Sequence, residues 1–440
     1  MVKENNHKGD NREMNSESNV KGFTPYHLFG TVSLIGIISF FLYALVVGAY
    51  AFDWLIMNNN GGWQFKDYFL HVFFMKEAKY VYTDITGLWG AFPPLIYIFY
   101  NLLYLLTARK EKVIPSVIEY QGSYYTLLVF LFYSIFLTLA FLYAVKLWQK
   151  HGRYRLLFIC LLLSTPFFAG VYERGNSCLI VVILLLIALN WRDSESKIKR
   201  ELALILIGVS AGIKIYPAIF GLLYLKEKRW KEAIRLIIYG IILFFGPFIF
   251  FLGKDGFILW AIKIIDLFKV ECVGRVQFIK GLVCTISYLT TGVTNENIGS
   301  SVSVFFLLIM IFLSFISNNR SRTAFFLCAA MTFFPSNAFR YTLCYFAIPL
   351  IIELGENGTK KLEKFFPTLE YIFYGLVFTI PTYWGMATGF KLNFSANYPR
   401  ATYVEVWIYL MAYILLAIMV FHELYVVVKD KNTKPSSEVC

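Results

Sequence analysis

Long apolar runs alternate with short polar segments over almost the whole chain. The runs near 28–52, 88–107, 123–147, 155–171, 177–191, 233–252, 301–317, 367–389 and 403–428 approach the roughly 20 apolar residues that a membrane crossing needs. Two further regions, 201–225 and 324–353, are apolar but broken midway. Lys214 and Pro217 interrupt the first, and Pro335, Ser336, Asn337 and Arg340 the second, so each is predicted to be a pair of short helices. Between the first two runs, the stretch WQFKDYFLHVFFMKEAKYVY sets apolar residues near helical spacing with charges between them. That pattern predicts an amphipathic helix on the membrane surface. The predicted fold is an all-α integral membrane bundle of about 11 to 13 transmembrane helices with a surface helix in the first extracytoplasmic loop, 53–87.

Basic residues cluster at 192–200, 226–235, 320–322, 360–364 and 429–434. Cytoplasmic loops carry an excess of Lys and Arg, which places these clusters inside. The turn 168–176, the tip near Lys214, and the segments 253–300, 335–341 and 390–402 are then outside. Residues 1–26 form a polar cytoplasmic N-terminus, 27–428 one polytopic domain and 429–440 a cytoplasmic tail. No small-residue cleavage site follows the first run, so it is expected to be an uncleaved span. Parity fails in the first half: three crossings from inside would leave Lys146, Lys150, Arg153 and Arg155 outside. The run 88–107, with its Pro93-Pro94 break, is the first candidate for an incomplete crossing.

Composition agrees with lipid as the main solvent: 16% of residues are charged and 58% hydrophobic, against about a quarter charged in soluble domains. An aromatic content of 19% suits a protein that handles a lipid at headgroup level. The net charge of +13 lies in loop clusters, with no basic-aromatic platform for nucleic acid. The seven cysteines show no metal or redox spacing and read as small core hydrophobes.

Ionisable groups at membrane depth are costly and usually functional. Near the predicted outer face stand Asp53, Asp67, His71 and Asp84 of the first loop, Glu173 and Arg174 beside Asn176, Lys214, and Asn337 with Arg340. A carboxylate beside several cations suits transfer of a sugar from a lipid phosphate, which needs a base for the acceptor hydroxyl and positive charge for the departing phosphate. Structural alternatives stand beside this. Asp67 could cap its helix, Glu173 and Arg174 could pair with each other, and Lys214 and Arg340 could snorkel to headgroups. No cofactor or metal is implied.

Four pieces, in order, resemble the GT-C superfamily of membrane glycosyltransferases, and most closely glycosyltransferase family 87. They are KDYFLHV with Val81-Tyr82, AFPPLIYIFY at 91–100, YERGNSCLIVVILLL from Tyr172, and AGIKIYPAIFGLLYLKEKRW at 211–230. A fifth is SNAFRYTLCYFAIPLI at 336–351, whose Arg340-Tyr341 reverses the family's usual order. The resemblance implies a polyprenyl-phosphate-linked sugar donor, mannose in similar proteins, attacked with inversion outside the membrane. It implies Asp67 as general base, with Lys214, Arg174, Arg340, Asn176, Tyr341 and His71 around the donor phosphate and substrate. The acceptor would be a glycan, glycolipid or protein, and the protein a multi-pass one of the cell membrane. A flippase of lipid-linked sugars also needs broken helices and buried charge, but the halves show no self-similarity. A polysaccharide polymerase is a further alternative, kept open by the loop 253–300.

Overall fold

In the computed structural model, residues 23–48, 66–83, 90–108, 117–149, 152–268, 273–335, 340–362, 364–379 and 403–433 are described, and all regular structure among them is helical. Helix α1 spans Pro25–Val47, α2 Lys66–Phe74 with a 3-10 extension Met75–Tyr80, α3 Pro94–Ala108, α4 Val117–Gly122 and α5 Tyr124–Trp148. There follow α6 (Gly152–Leu163), α7 (Pro166–Arg174), α8 (Cys178–Trp191), α9 (Lys197–Ile213), a 3-10 turn Tyr216–Gly221 and α10 (Leu222–Lys226). The second half holds α11 (Trp230–Phe245), α12 (Gly253–Phe268), α13 (Ile279–Thr291), α14 (Glu296–Ile316) and α15 (Arg320–Phe333). A 3-10 segment Arg340–Phe346 then leads to α16 (Ala347–Asn357), α17 (Phe365–Phe378) and α18 (Tyr403–Thr433).

Among the described residues, five segments are long and apolar enough to cross a membrane: Pro25–Val46, Tyr124–Trp148, Trp230–Phe250, Glu296–Ile316 and Val406–Lys429. Their outward stripes are apolar. Leu128, Phe132, Ile135, Phe136 and Leu139 of α5 are exposed at helical spacing, as are Ile234, Ile237, Ile238, Ile241 and Ile242 of α11. Such faces are what a lipid solvent accepts and water does not. The bundle is that of a multi-pass membrane protein.

The centre has a different composition. Every residue of α15 from Thr323 to Phe333 is buried, and Thr323, Ala324, Cys328, Ala329, Ala330 and Thr332 are small enough to let neighbouring backbones approach closely. Helix α9 packs between α8 and α11, with α3 also against it, and α1 lies against α17. Cys178, Cys284, Cys328 and Cys344 are buried, as expected, whereas Cys160 is exposed on α6.

Both expected helix breaks occur, at Lys214 after α9 and between α15 and the segment Arg340–Phe346. The run 155–171 differs from its prediction, because it divides into α6 and α7. Thr165 caps α7 by accepting a hydrogen bond from the Phe168 amide (3.3 Å), and Pro166 occupies the first turn. A proline without an N–H is tolerated there and ends the preceding helix.

The helix predicted within 53–87 is also different in setting. It exists as α2, but Tyr68, Phe69, Leu70, His71 and Val72 are all buried. It packs on α3, α4 and α7, so protein rather than headgroups covers its sides. In the 3-10 extension the charged side chains of Lys76, Glu77 and Lys79 are exposed. Asp53, Asp84, Asn337 and the side chains of Glu173 and Arg340 lie outside the described residues.

Candidate active site

Asp67 sits in the first turn of α2, where a carboxylate is favoured by the helix dipole. Helix α7 runs toward it and ends at Arg174, followed by Gly175 in the left-handed conformation (φ 60°). A Cβ on Gly175 would stand 2.5 Å from the Tyr68 Cβ. The turn and α2 are therefore in direct backbone-level contact, which only glycine permits. Asn176 then donates from Nδ2 to Asp67 Oδ2 at 2.7 Å and accepts at Oδ1 from the Cys178 amide at 3.0 Å. Arg174 Nε lies 3.6 Å from Asp67 Oδ1. That is an ion pair without a hydrogen bond, since the buried Nε has no partner within bonding distance.

Lys214 stands at the break after α9, with extended backbone (φ −141°, ψ 132°). The break turns its side chain inward, where it is 7% exposed. Its Nζ lies 4.8 Å from the centre of the Phe92 ring and 5.2 Å from that of Tyr341, an arrangement in which ring faces attract a cation. The Cys178 thiol, buried nearby, accepts from Tyr345 Oη at 3.3 Å. Among the described residues no carboxylate pairs with Lys214. Burying a charge without a counter-ion is expensive, and that sets Lys214 apart from a cation that merely terminates a helix.

The segment that carries Phe92 is pinned at each residue. Tyr97 Oη accepts from the Gly90 amide (3.0 Å), Trp260 Nε1 donates to the Ala91 carbonyl (3.3 Å), and Tyr82 Oη donates to the Phe92 carbonyl (3.1 Å). One turn after Asp67, His71 stacks flat on Tyr100 at 5.4 Å and contacts Phe92 at 4.9 Å. Burial pushes its imidazole down to about 4, with the nearby Asp67 raising it and Lys214 lowering it further. At neutral pH it is uncharged. Tyr341 is close enough to the Asp67 carboxylate and the Arg174 guanidinium to feel both charges.

The fold thus brings Asp67, His71, Arg174, Asn176, Lys214 and Tyr341 into one neighbourhood. Arg340 opens the adjoining 3-10 segment, and its side chain is not among those described. The sequence reading gave no part to Tyr100, Cys178 or Tyr345, or to Phe92 as a ring over Lys214. Tyr97 and Tyr100, three apart on α3, share a helix face and were the one available signal. The thiol and the Tyr345 hydroxyl carried none, because residues far apart in sequence make these contacts.

The opposite ends of α8 and α9 lie about 20 to 25 Å away at 1.5 Å per residue. There the basic clusters at 192–200, 226–235 and 320–322 converge. Asp193 takes Arg229 at 3.1 Å and Arg320 at 2.5 Å, and Arg192 pairs with Glu227. Lys226 Nζ donates to the Ser314 carbonyl at 2.8 Å and to Thr323 Oγ1 at 3.0 Å. A cavity of about 240 Å3 opens among Trp148, Arg192, Lys226 and Arg320, but each of those cations is already committed, so this end is a structural clasp.

The family model of glycosyltransferase family 87 matches residues 113–336. The chain belongs to glycosyltransferase family 87. The match runs from the approach to α4 to just past the end of α15, and it contains Arg174, Asn176 and Lys214, while Asp67, His71, Arg340 and Tyr341 fall outside it. No match is found among curated proteins or among solved structures. The protein is accordingly a membrane glycosyltransferase, as its resemblance implied.

Proposed function

We propose that this family 87 glycosyltransferase moves a hexose, with mannose the first candidate, from a polyprenyl-phosphate donor to an acceptor hydroxyl outside the membrane. What supports the reading above all is the meeting of Asp67 with two cations, Arg174 and Lys214, the latter without a carboxylate partner among the described residues, at one end of the bundle. The acceptor oxygen attacks C1 of the sugar and its proton passes to Asp67. The bond from C1 to the phosphate oxygen breaks with inversion, and its electron pair leaves on the polyprenyl phosphate.

Charge builds on that phosphate as the bond breaks. Donors placed beforehand at the developing charge are usually the largest catalytic contribution. Lys214 supplies a compact charge, held between Phe92 and Tyr341. Arg174 has a five-donor fork, of which Nε faces Asp67 and the terminal nitrogens remain for the phosphate. Neutral His71 shapes the wall beside the base and takes no proton at neutral pH.

Removing a positioned base costs about 10²- to 10⁴-fold. Purified Asp67→Asn should insert normally, bind polyprenyl-phosphate mannose and lose nearly all transfer to a panel of glycan, glycolipid and peptide acceptors. Lys214→Ala should weaken donor use by about one to two orders of magnitude, the worth of a charged hydrogen bond. Full transfer by Asp67→Asn would sink this reading, and wild-type donor use by Lys214→Ala would return that lysine to a structural role.

A further inference from the structure

We infer that Asn176 is a positioning residue for the base, and that its amide holds the Asp67 carboxylate in register with the start of α8. This rests on the reading of Asp67 as the base. Within the resemblance Asn176 belonged to the substrate contacts, yet in the fold both ends of its side chain are engaged with protein. Nδ2 donates to Asp67 Oδ2 at 2.7 Å, and Oδ1 accepts from the Cys178 amide at 3.0 Å. The side chain is 2% exposed, so it acts through Asp67 rather than on substrate.

The arrangement answers a problem that the fold creates. Asp67 begins a short helix of nine residues, Lys66–Phe74, too short to be stable by itself in water. The acid must nonetheless be held to a fraction of an ångström for proton transfer. Asn176 ties it to α8, whose residues Cys178, Leu179, Val181 and Val182 are buried. An amide is the fitting link, since it donates to the carboxylate and accepts from the helix N-terminus at once. The amide takes only Oδ2, while Oδ1 faces Arg174, and each oxygen keeps a further lone pair for the acceptor hydroxyl.

Other groups act on the same carboxylate. Arg174 faces it from α7, His71 from its own helix, Tyr100 from α3 and Tyr341 from the 3-10 segment Arg340–Phe346. Arg174 is a cation at 3.6 Å with no hydrogen bond, so it draws the acid without fixing its orientation. The directional bond is the one from Asn176.

Two substitutions separate positioning from capping. Asn176→Ser keeps an oxygen for the Cys178 amide but is too short to reach Asp67. Asn176→Asp keeps that oxygen and the length, but sets a second carboxylate where the donor was. If Asn176 only capped α8, both variants would work, since Ser and Asp are good caps. Transfer from polyprenyl-phosphate mannose is expected to fall about ten- to a hundredfold in kcat for Asn176→Ser and further for Asn176→Asp. KM for the donor should stay within about twofold, and the thermal midpoint of Asn176→Ser in detergent close to the parent's.

Wild-type kcat in either variant, with Asp67→Asn inactive, would overturn the inference while leaving the base in place. An equal loss shared between kcat and donor KM would return Asn176 to the substrate contacts and overturn it as well. Activity in Asp67→Asn would instead remove the base reading on which it stands.

Discussion

His71 shows how one residue's surroundings set its chemistry. From sequence it was a titratable group one turn from an acid, a candidate to touch substrate. Packed against Tyr100 and Phe92, its imidazole is pushed by burial from 6.5 down to about 4. Between those values the unfolded chain binds more protons than the folded one, so stability is full above about pH 6.5 and is lost as pH falls toward 4. The loss across that window is about 3 kcal/mol at 1.36 kcal/mol per unit. Thermal unfolding in detergent at pH 7.5 and pH 5 should therefore show a smaller pH dependence for His71→Asn than for the parent. Equal pH dependence in the two proteins would mean that His71 is not held neutral.

At the scale of elements, the candidate site is made where helices stop. Arg174 ends α7, Lys214 follows α9, Cys178 begins α8 and Asn176 lies two residues before it. Each charge sits at the helix end that favours its sign, Asp67 in a first turn and Arg174 in a last turn. The tightest joint is Gly175, which lets the end of α7 meet α2. Gly175→Ala adds a left-handed penalty of about 1–2 kcal/mol and a methyl 2.5 Å from the Tyr68 Cβ. It should lower both the unfolding midpoint and transfer, because Tyr68 cannot yield without moving Asp67. An unchanged midpoint and rate would show that α2 has room to shift.

A second joint lies far from the site. Glu370 of α17 bonds His422 of α18, and Arg322 of α15 reaches Glu423 at 3.0 Å. These bonds fasten the outer pair of helices to the buried α15, in a solvent that gives apolar side chains no reason to prefer each other over lipid.

Across the whole molecule, the site and the clasp around Asp193 occupy opposite ends of α8 and α9. The excess of Lys and Arg at the clasp predicts that this end is cytoplasmic. In a background without other cysteines, an impermeant maleimide should label Lys76→Cys from outside intact cells. Lys231→Cys should react only after permeabilisation. Both positions are exposed, so the reverse pattern would invert the orientation.

The sequence alone determined the solvent, the helical class, both breaks and which residue types were candidates for a site. These follow from apolar run length, from interruptions by Lys, Pro and Asn, and from the cost of charge at membrane depth, all of which act locally along the chain. Only the tertiary structure decided that α2 is buried, that the run 155–171 divides, and that Asn176 holds Asp67 while Lys214 lies between Phe92 and Tyr341. Those outcomes depend on contacts between positions such as 67 and 176, or 92, 214 and 341. Periodicity along one helix carries no information about which other helix will stand beside it.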